Sequence, residues 1–521
     1  MKVGVYMKDG ILIGIDAGTS VIKSVAFNTQ GEQLAVAAIP NKYSTSPDGG
    51  AEQDMGVTWA DTAETLRQLG EQIPGLASRV IALSVTAQGD GLWMIDKAGE
   101  PVGPATIWLD NRAGSIVEEY VNSPHYAGHY ERTGTGLSVV QLSVKLAWMK
   151  RNRPELLARA TNAFHCKDWI YFRLTGDRVT DPSEANFTFG NYRTLRYQPD
   201  ILEHLGLAAY KHLLTPMVEG TRECGKLSDA AATATGLKAG TPVCLGYIDI
   251  VCSGLGGGLF DPSGQSGCTI VGSTGMHMRL HANADAAQLN AERSGFTIAF
   301  PAPGMVAQIQ SNMAATLNID WLLDVARGIL SEQGVERSRA DLIKGLDDKV
   351  LAREPAKLMY HPYISRIGER GPFMDVAARA SFNGLDVTAD YHDMMRAVFE
   401  GLGLAARDCY SVMGPVPKEI RVTGGAARSK ALRLILASAL NAKVRSVSRE
   451  EAGAAGAAMM AAVQQKLFPD MAACASTWVD PHLGTPLEPD SGLVRRYAAV
   501  FPHYVAARQA IRPVWRGMRG N

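Results

Sequence analysis

The stretch ILIGIDAGTSVIKSVAFN, residues 11–28, contains two apolar runs separated by a turn of small residues. The first run ends at Asp16, and the second continues to a polar turn that begins at Asn28. This arrangement predicts a β-hairpin. The stretch QSGCTIVGSTGMHMRL, residues 265–280, repeats the same arrangement in the second half of the chain. Two related hairpins predict a duplicated architecture.

Length and charge limit the class of protein. At 521 residues the chain exceeds the roughly 250–300 residues at which one core stops growing, so we expect two or more domains with a cleft between them. Lysines and arginines together number 52, as do aspartates and glutamates. Because no long run of one sign occurs, no nucleic-acid or anionic-membrane partner is expected, and a small-molecule substrate is favoured.

Cysteine usage and hydropathy indicate a cytoplasmic protein. The seven cysteines include no CxxC pair and lie mostly in apolar surroundings, so we expect neither disulfides nor a cysteine metal site. The N-terminus is interrupted by Lys8 and Asp9 and does not match a signal peptide. No run reaches the roughly 18 apolar residues of a membrane span.

Strand-like and helix-like segments alternate along the chain, which favours an α/β fold. Strands are predicted at residues 79–88, 104–110 and 419–425, and helices from Trp59, over residues 390–410, from near Ser429 and over residues 495–515. Ser448 and Glu451 predict a capping box for an alanine-rich helix that ends near Met460.

The turn of the first hairpin carries groups that suit a phosphate and its metal. Asp16 can hold a hydrated metal, and Lys23 adds a positive charge on the returning strand. Small turn residues offer N–H and hydroxyl groups to phosphate oxygens; they are Gly18, Thr19 and Ser20. The alternative is an ordinary hairpin turn with solvated ends.

Two later glycine turns offer similar contacts. GSTG, residues 272–275, is a candidate second phosphate loop. VTGGAARSK, residues 422–430, places two glycines between a strand and a helix, which permits close approach by a flat base, a ribose or a phosphate. The alternative for the second stretch is a helix N-terminus after a sharp turn.

Asp249 stands between two isoleucines in GYIDIVCSGLGGG, residues 246–258. Burying an unpaired carboxylate costs several kcal/mol. The side chain is therefore expected to cap a helix, pair with a cation or act on a substrate.

These motifs, taken in order along nearly the whole chain, resemble those of the FGGY carbohydrate kinases. That family belongs to the two-domain superfamily of actin, the Hsp70 chaperones and hexokinase. The matching stretches are the first hairpin, GGAEQDMGVTW (49–59), IWLDNRA (107–113), FRLTGDRVTDPSEANFT (172–188), GYIDIVCSGLGGG, GSTG, HPYISRIGERGPFMDVAARASFNGL (361–385), VTGGAARSKALRLILASAL (422–440) and EEAGAAGAAMMA (450–461).

The resemblance implies an α/β fold in which two RNase H-like domains flank a catalytic cleft. We expect an N-terminal domain over residues 1–258 with the acceptor site, the first phosphate hairpin and the catalytic aspartate. An ATP-binding C-terminal domain is expected over residues 259–470, followed by a helical extension over 471–521.

The resemblance also implies ATP-dependent phosphorylation of a sugar or polyol hydroxyl with Mg²⁺. Phosphoryl transfer requires alignment, charge compensation and a group that accepts the hydroxyl proton. Asp249 is expected to be that base, and Asp16 and Asp249 are the candidate metal residues. The nucleotide residues implied are Gly18, Thr19, Ser20, Lys23, Gly272, Ser273, Thr274, Gly424, Gly425 and Ser429.

The acceptor pocket departs from several relatives. Asp90 stands where xylulose kinases keep a histidine, and a carboxylate accepts hydrogen bonds from two adjacent hydroxyls. Ile250 replaces a polar residue that many relatives have, which favours a short, linear polyol. The implied acceptor residues are Gln88, Asp90, Trp108, Asp110, Arg112 and Ile250.

The resemblance favours erythritol as the acceptor, phosphorylated at a terminal hydroxyl. Xylitol, glycerol and xylulose stay open as acceptors, since a single side chain can change hydroxyl preference. An alternative from another class is an ATPase of the actin or Hsp70 kind, or a sugar-sensing pseudokinase. The expected partners are the polyol and ATP, and a homodimer is an arrangement that the sequence leaves open.

Overall fold

The computed structural model describes residues 9–261 and 263–518, and of Ala426 the backbone alone. The predicted N-terminal segment at residues 1–8 and the last residues of the extension, 519–521, lie outside the described residues. Its strands, numbered in chain order, are β1 (Ile11–Ala17), β2 (Val21–Asn28), β3 (Gln33–Pro40), β4 (Ser44–Thr45), β5 (Ala51–Gln53), β6 (Val80–Ala87), β7 (Trp93–Ile95), β8 (Ala105–Thr106), β9 (Asn162–Phe164), β10 (Gly190–Asn191), β11 (Arg196–Tyr197), β12 (Gly225–Lys226), β13 (Pro242–Leu245), β14 (Ser266–Val271), β15 (Gly275–His281), β16 (Phe296–Ala299), β17 (Val306–Asn312), β18 (Met359–His361), β19 (Ser381–Asn383), β20 (Glu419–Thr423) and β21 (Lys443–Ser446).

The helices are numbered in the same way. They are α1 (Met55–Gln72), α2 (Leu76–Arg79), α3 (Gly114–Val121), α4 (Tyr126–Thr133), α5 (Leu142–Asn152), α6 (Pro154–Arg159), α7 (Cys166–Thr175), α8 (Pro182–Phe189), α9 (Pro199–His204), α10 (Asp229–Thr235), α11 (Asp249–Gly256), α12 (Thr316–Glu332), α13 (Arg339–Ile343), α14 (Leu346–Leu351), α15 (Tyr391–Ser411), α16 (Lys430–Leu440), α17 (Ala452–Gln464), α18 (Met471–Trp478) and α19 (Ser491–Met518). Short 3₁₀ helices lie at Ala208–Leu213, Ala284–Ala286, Gly425–Arg428 and Asp480–His482.

The N-terminal sheet is built around the predicted first hairpin. Its strand order is β12-β13-β6-β1-β2-β3. β1 pairs antiparallel with β2, which confirms the hairpin and places Asp16 opposite Lys23. β6 joins β1 in parallel, and β13 joins β6 in parallel. The parallel strands therefore end on the same edge of the sheet as β1, just before residues 18, 88 and 246.

The second sheet repeats this topology. Its order is β16-β17-β15-β14-β20-β21, with the β14–β15 hairpin antiparallel and β20 and β21 added in parallel beside β14. The core order of three antiparallel strands followed by two parallel ones is the same in both sheets. This confirms the predicted duplication and the two-domain α/β fold.

Local predictions are confirmed in part. The Ser429 side chain caps α16, as expected, and accepts a hydrogen bond from the Leu432 N–H at 3.1 Å. The capping box of Ser448 and Glu451 is wrong, because the Ser448 hydroxyl bonds with His482 instead and Glu451 caps no N–H group. The strand predicted over residues 104–110 is limited to Ala105–Thr106, since the chain then turns toward Asp110.

Helix α17 comes from the second half of the chain but packs on the first sheet and on α11. Small residues permit a very close approach, since a methyl group built on Gly456 would overlap the Cys252 carbonyl, and one on Gly14 would overlap the Ala454 carbonyl. Residues 453–462 of α17 are all buried. The two halves of the chain are thus joined by backbone-to-backbone packing. The domain boundary expected after Gly258 stays a prediction.

Cysteine burial follows the expected pattern with one exception. Among the described residues, Cys224 is exposed, whereas the other cysteines are buried. In the same part of the chain, no helix is both long enough and apolar enough to cross a membrane.

The α11–α17 crossing predicts opposite effects for the same substitution at two helical glycines. Gly456→Ala should destabilise the protein by about 1–3 kcal/mol, because the added methyl group overpacks the crossing. Gly328→Ala, on an open face of α12 with no atom within 4 Å of the new methyl, should stabilise by about 0.5–1 kcal/mol through helix propensity. Scanning calorimetry measures both; equal shifts in melting temperature would contradict the packing account.

Candidate active site

Asp249 is the first residue of α11, directly after the loop that follows β13. Its Oδ1 atom accepts a hydrogen bond from the N–H of Ile250 at 2.7 Å, but the side chain does not cap the helix. Burial raises the pKa of Asp249 well above its usual value, and the negative charges of Asp16 and Glu184 raise it further. The environment therefore favours a carboxyl group that readily takes up a proton.

Asp16 is the second carboxylate of this region. It lies near the end of β1 against Gly453 of α17, where an added methyl group would overlap its Oδ2 atom. Burial raises the pKa of Asp16 to about 6; Lys23 opposes this rise and Glu451 adds to it.

The Asp16 and Asp249 carboxylates fit the predicted Mg²⁺. The negative charge of Asp16 raises the proton affinity of Asp249, and the two carboxylates provide hard oxygen ligands and negative charge for a divalent cation. Within the described residues, no group of three or more His, Cys, Asp or Glu side chains is arranged to hold a metal. Water and phosphate oxygens would complete the coordination shell, as is usual for Mg²⁺.

A chain of hydrogen bonds fixes two of the predicted acceptor residues. The Thr19 hydroxyl donates to Gln88 Oε1 at 2.9 Å and accepts from Trp108 Nε1 at 2.8 Å. Gln88 Nε2 in turn donates to Gln53 Oε1 at 2.7 Å. The Thr19 hydroxyl, which was predicted to contact phosphate, therefore orients Gln88 and Trp108. Together with Asp90, these two residues form the predicted polyol-binding surface, called the acceptor wall below.

Asp110 and Arg112 bind each other behind this wall. Arg112 Nε donates to Asp110 Oδ2 at 2.8 Å, and its guanidinium donates to Glu52 at 2.7 Å and lies 4.5 Å from the centre of the Trp148 ring. Asp110 also accepts from the Ala51 N–H. Both side chains are buried in these contacts, so they support the wall.

Asp90 occupies an unusual backbone conformation that Glu184 holds in place. Its φ of 60° lies in the left-handed region that non-glycine residues rarely adopt. The Asp90 N–H donates to Glu184 Oε1 at 2.7 Å, and a charge-assisted bond of this kind offsets the strain. Asp90 Oδ1 is buried without a hydrogen-bond partner in the described structure. Sequence reasoning found Asp90 but missed Glu184.

Glu184 is itself anchored in a buried charge cluster on α7 and α8. Lys167 Nζ lies 2.9 Å from Asp168 and 2.5 Å from both Asp181 and Glu184, and all four side chains are fully buried. Burial alone would lower the pKa of Lys167, but the three carboxylates raise it well above its usual value. The neighbouring Ser183 hydroxyl accepts the Ile248 N–H at 2.9 Å, so α8 positions both the Asp90 turn and the approach to Asp249.

Two cations near Asp90 were also missed. Burial lowers the pKa of Lys145 to about 8, although Asp110 and Asp90 favour its charged form. Arg370, from the second half of the chain, is bonded to the Ser311 hydroxyl at 2.8 Å and stabilises the charged form of Asp90. The signal that could have identified Lys145 is its position as a lysine inside the otherwise apolar run LSVKLAW.

The two hairpin turns leave N–H groups open to an anion. The Asn41 side chain donates a hydrogen bond to the Gly18 carbonyl, and its backbone N–H donates to the Ser20 carbonyl. The backbone N–H and the hydroxyl of Thr316 both donate to the Gly272 carbonyl. Among hydrogen bonds in the described part of the chain, the turn N–H groups without an acceptor are those of Gly18, Thr19, Ser20, Ser273 and Thr274.

Other predicted residues are already engaged. Lys23 Nζ pairs with Glu451 at 2.8 Å, across the two halves of the chain. The Ser429 hydroxyl donates to Asp347 at 2.7 Å in addition to capping α16. The Ile250 side chain is buried in the core between the halves.

The glycine pair of the predicted nucleotide segment lies beside the second hairpin. Gly424 has a φ of 92°, and a methyl group built on it would approach the Val271 carbonyl carbon at 2.9 Å. Gly425 has open space on its side-chain face. The turn is thus compact on one side and accessible on the other.

Comparison with protein families matches both halves of the chain. A model of the FGGY family of carbohydrate kinases, N-terminal domain, matches residues 11–256, and the model of its C-terminal domain matches residues 267–465. An erythritol kinase of Brucella abortus is 50% identical over 508 residues, covering 98% of each chain. A xylulose kinase of Staphylococcus xylosus is 25% identical over 475 residues, covering 90% of this chain and 94% of the relative.

Solved structures share the fold. The ligand-bound xylulose kinase of Lactobacillus acidophilus has a TM-score of 0.87 at 23% identity, covering 98% of this chain and 100% of the other. The Plasmodium falciparum glycerol kinase with ADP has a TM-score of 0.82 at 16% identity, covering 96% and 98%.

The buried Asp90 carboxyl predicts a pH-dependent gain in stability for Asp90→Asn. Burial and the Glu184 charge raise the pKa of Asp90 to about 7, against opposing effects of His165, Arg370 and Lys145. The folded state therefore binds this proton more tightly than the unfolded chain. The resulting stability is fully present below about pH 4 and is lost as the pH rises to about 7.

Asn tolerates the left-handed backbone and cannot ionise. Asp90→Asn should therefore be more stable than the parent chain by roughly 1–3 kcal/mol at pH 8, and this gain should shrink toward pH 4. Melting temperatures across this range provide the measurement, with Asp324→Asn on the surface of α12 as control. A difference that does not change with pH would contradict the assignment.

Proposed function

Because the chain belongs to the FGGY family of carbohydrate kinases, we propose that it transfers the terminal phosphoryl group of ATP to a terminal hydroxyl of erythritol. The 50% identity to an erythritol kinase over nearly the full length of both chains supports this acceptor. Xylulose, xylitol and glycerol are the competing acceptors within the family. The observation that carries the chemistry is the position of Asp249, at a helix start, with a carboxyl that binds protons tightly.

Asp249 acts as the general base. As the acceptor oxygen bonds to the terminal phosphorus of ATP, the bond from that phosphorus to the bridging oxygen breaks and ADP leaves. The hydroxyl proton passes to the Asp249 carboxylate, which must be ionised at that moment. The raised proton affinity makes the transfer favourable. The bond from the Ile250 N–H to Oδ1 fixes the carboxylate.

The polyol is held by the wall opposite this base. Trp108 covers the carbon chain, while Asp90 and Gln88 bond to its hydroxyls. The unpartnered Oδ1 of Asp90 is satisfied by a substrate hydroxyl, which offsets its desolvation. Lys145 and Arg370 favour the charged form of Asp90, against burial and Glu184, which raise its pKa to about 7. Asp110 and Arg112 keep the wall rigid.

The hairpin turns bind the phosphates through backbone N–H groups. They are the turns of Gly18, Thr19 and Ser20 and of Gly272, Ser273 and Thr274. Asp16 and Asp249, together with water, would hold Mg²⁺, which would supply positive charge to the phosphoryl oxygens. The open face of Gly425 beside Gly424 receives the adenosine. Lys23 contributes through its pair with Glu451, which joins the first hairpin to α17.

The proposal extends to the location of the protein in the cell and to its association with a second copy. Because ATP is the donor, we place the protein in the cytoplasm. An exposed apolar stripe on α12 has the spacing of one helix face and suits a homodimer contact, which light scattering tests; it consists of Leu317, Trp321, Val325 and Ile329.

Asp249→Asn tests the role of the base. It should lower kcat by about 10²–10⁴ and leave the KM for the polyol nearly unchanged, because an amide can hold the hydroxyl but cannot accept its proton. A coupled assay of ADP release measures both constants, and a polyol-induced rise in melting temperature verifies that the variant still binds. Asp324→Asn is the matched surface control. Near-normal turnover by Asp249→Asn would contradict the assignment.

A further inference from the structure

Two cysteines face each other at the edge of the N-terminal sheet. β12 and β13 are antiparallel, with Gly225 opposite Val243. Continuing the register by one residue places Cys224 opposite Cys244 on the same face of the sheet. Cβ atoms of directly opposed residues lie about 4.5–5.5 Å apart, and a disulfide requires about 3.5–4.5 Å. A small local movement is therefore enough to join the two sulfurs.

The two thiols differ in exposure. Cys224 is exposed and Cys244 is fully buried. Cys244 Sγ lies 3.9 Å from Gln464 Oε1, at the end of α17. The other cysteines of the described residues are buried as well. An oxidant in solution therefore meets Cys224 first.

The surroundings of Cys224 favour its thiolate. The neighbouring Cys244 thiol lowers the pKa of Cys224 to about 6, with further help from the Gln464 side chain and the positive charge of Lys226; partial burial acts in the opposite direction. The thiolate is the reactive form toward peroxides and disulfides. Cys224 thus combines access, nucleophilic character and a resolving thiol beside it.

We propose that Cys224 and Cys244 are a reversible oxidation site for peroxides. The Cys224 thiolate attacks one peroxide oxygen, which breaks the O–O bond, releases hydroxide and leaves a sulfenic acid. The Cys244 thiol then attacks this sulfur, forming the disulfide and releasing water. The two thiols lose two electrons in total, and the peroxide gains them. A cellular dithiol reverses the reaction by thiol–disulfide exchange.

This site is linked to the active site from two directions. Cys244 lies on β13, five residues before Asp249. The Cys244 thiol donates to Gln464, the last residue of α17, and the first turn of the same helix contacts Asp16. A disulfide removes the Cys244 thiol hydrogen and hence its bond to Gln464. We expect oxidation to lower turnover, an expectation that rests on the proposed kinase function, whereas disulfide formation does not depend on it.

Mass spectrometry of the full chain tests the chemistry. After treatment with hydrogen peroxide, non-reducing digestion should yield a linked peptide pair containing Cys224 and Cys244, which dithiothreitol separates. Alkylation of the untreated protein by iodoacetamide should label Cys224 first, with a pH midpoint near 6, not near the roughly 8.5 of a free thiol. Absence of the linked pair, or labelling of another cysteine first, would overturn the proposal.

Two variants provide the controls. Cys244→Ala should leave the Cys224 sulfenic acid unresolved, so that dimedone adds to Cys224 and no linked pair forms. Cys224→Ser, at an exposed position, should fold normally and lose both the disulfide and the dimedone adduct. Peroxide should lower ADP release by the parent chain at least twofold, reversibly, and leave Cys224→Ser unaffected. A disulfide that forms without any change in turnover would overturn the link to the active site.

Discussion

The close packing of α17 against β1 and α11 is the constraint on which the active site depends. Small residues at this crossing allow backbones to touch, as the overlap of any methyl group on Gly14 or Gly456 demonstrates. One end of α17 contacts Asp16 through Gly453 and Lys23 through Glu451. The helix therefore fixes the first hairpin. By packing on α11 it also fixes the position of Asp249, the first residue of that helix. A larger side chain here would separate residues that the proposed reaction needs together.

Buried charge is the second organising feature. The cluster around Lys167 is costly to desolvate, and its carboxylates are tolerated because each lies within 2.9 Å of the ammonium. Through Glu184 the cluster holds the left-handed turn of Asp90, and through Ser183 it holds the approach to Asp249. The cluster thus fixes the arrangement of polar groups around the acceptor pocket. The raised pKa values of Asp90 and Asp249, caused first by burial, follow from the same low-dielectric environment.

The sequence was sufficient to predict the features that depend on local pattern. The hairpins, their duplication, α15, α16 and α19 follow from alternation and helical spacing, and all are confirmed. Long-range pairings were out of reach: the Lys23–Glu451 pair joins residues far apart in the chain, and the Glu184 bond to Asp90 leaves no periodic signal. Ser448 illustrates the limit of motif reasoning, since a nearby His482 competes for its hydroxyl. The roles of the site residues, including Asp249 and Asp16, stay predictions that the geometry supports.

The central claim is that ATP turnover by this chain depends on a four-carbon polyol acceptor. The most direct measurement is ADP release from ATP and Mg²⁺ across three- to six-carbon polyols and ketoses, with the phosphorylated product identified by mass. The account predicts negligible ADP without an acceptor and the highest kcat/KM with erythritol, with one phosphate on the product. ADP release that needs no acceptor would contradict the kinase account, and absence of turnover with every four-carbon polyol would contradict the acceptor.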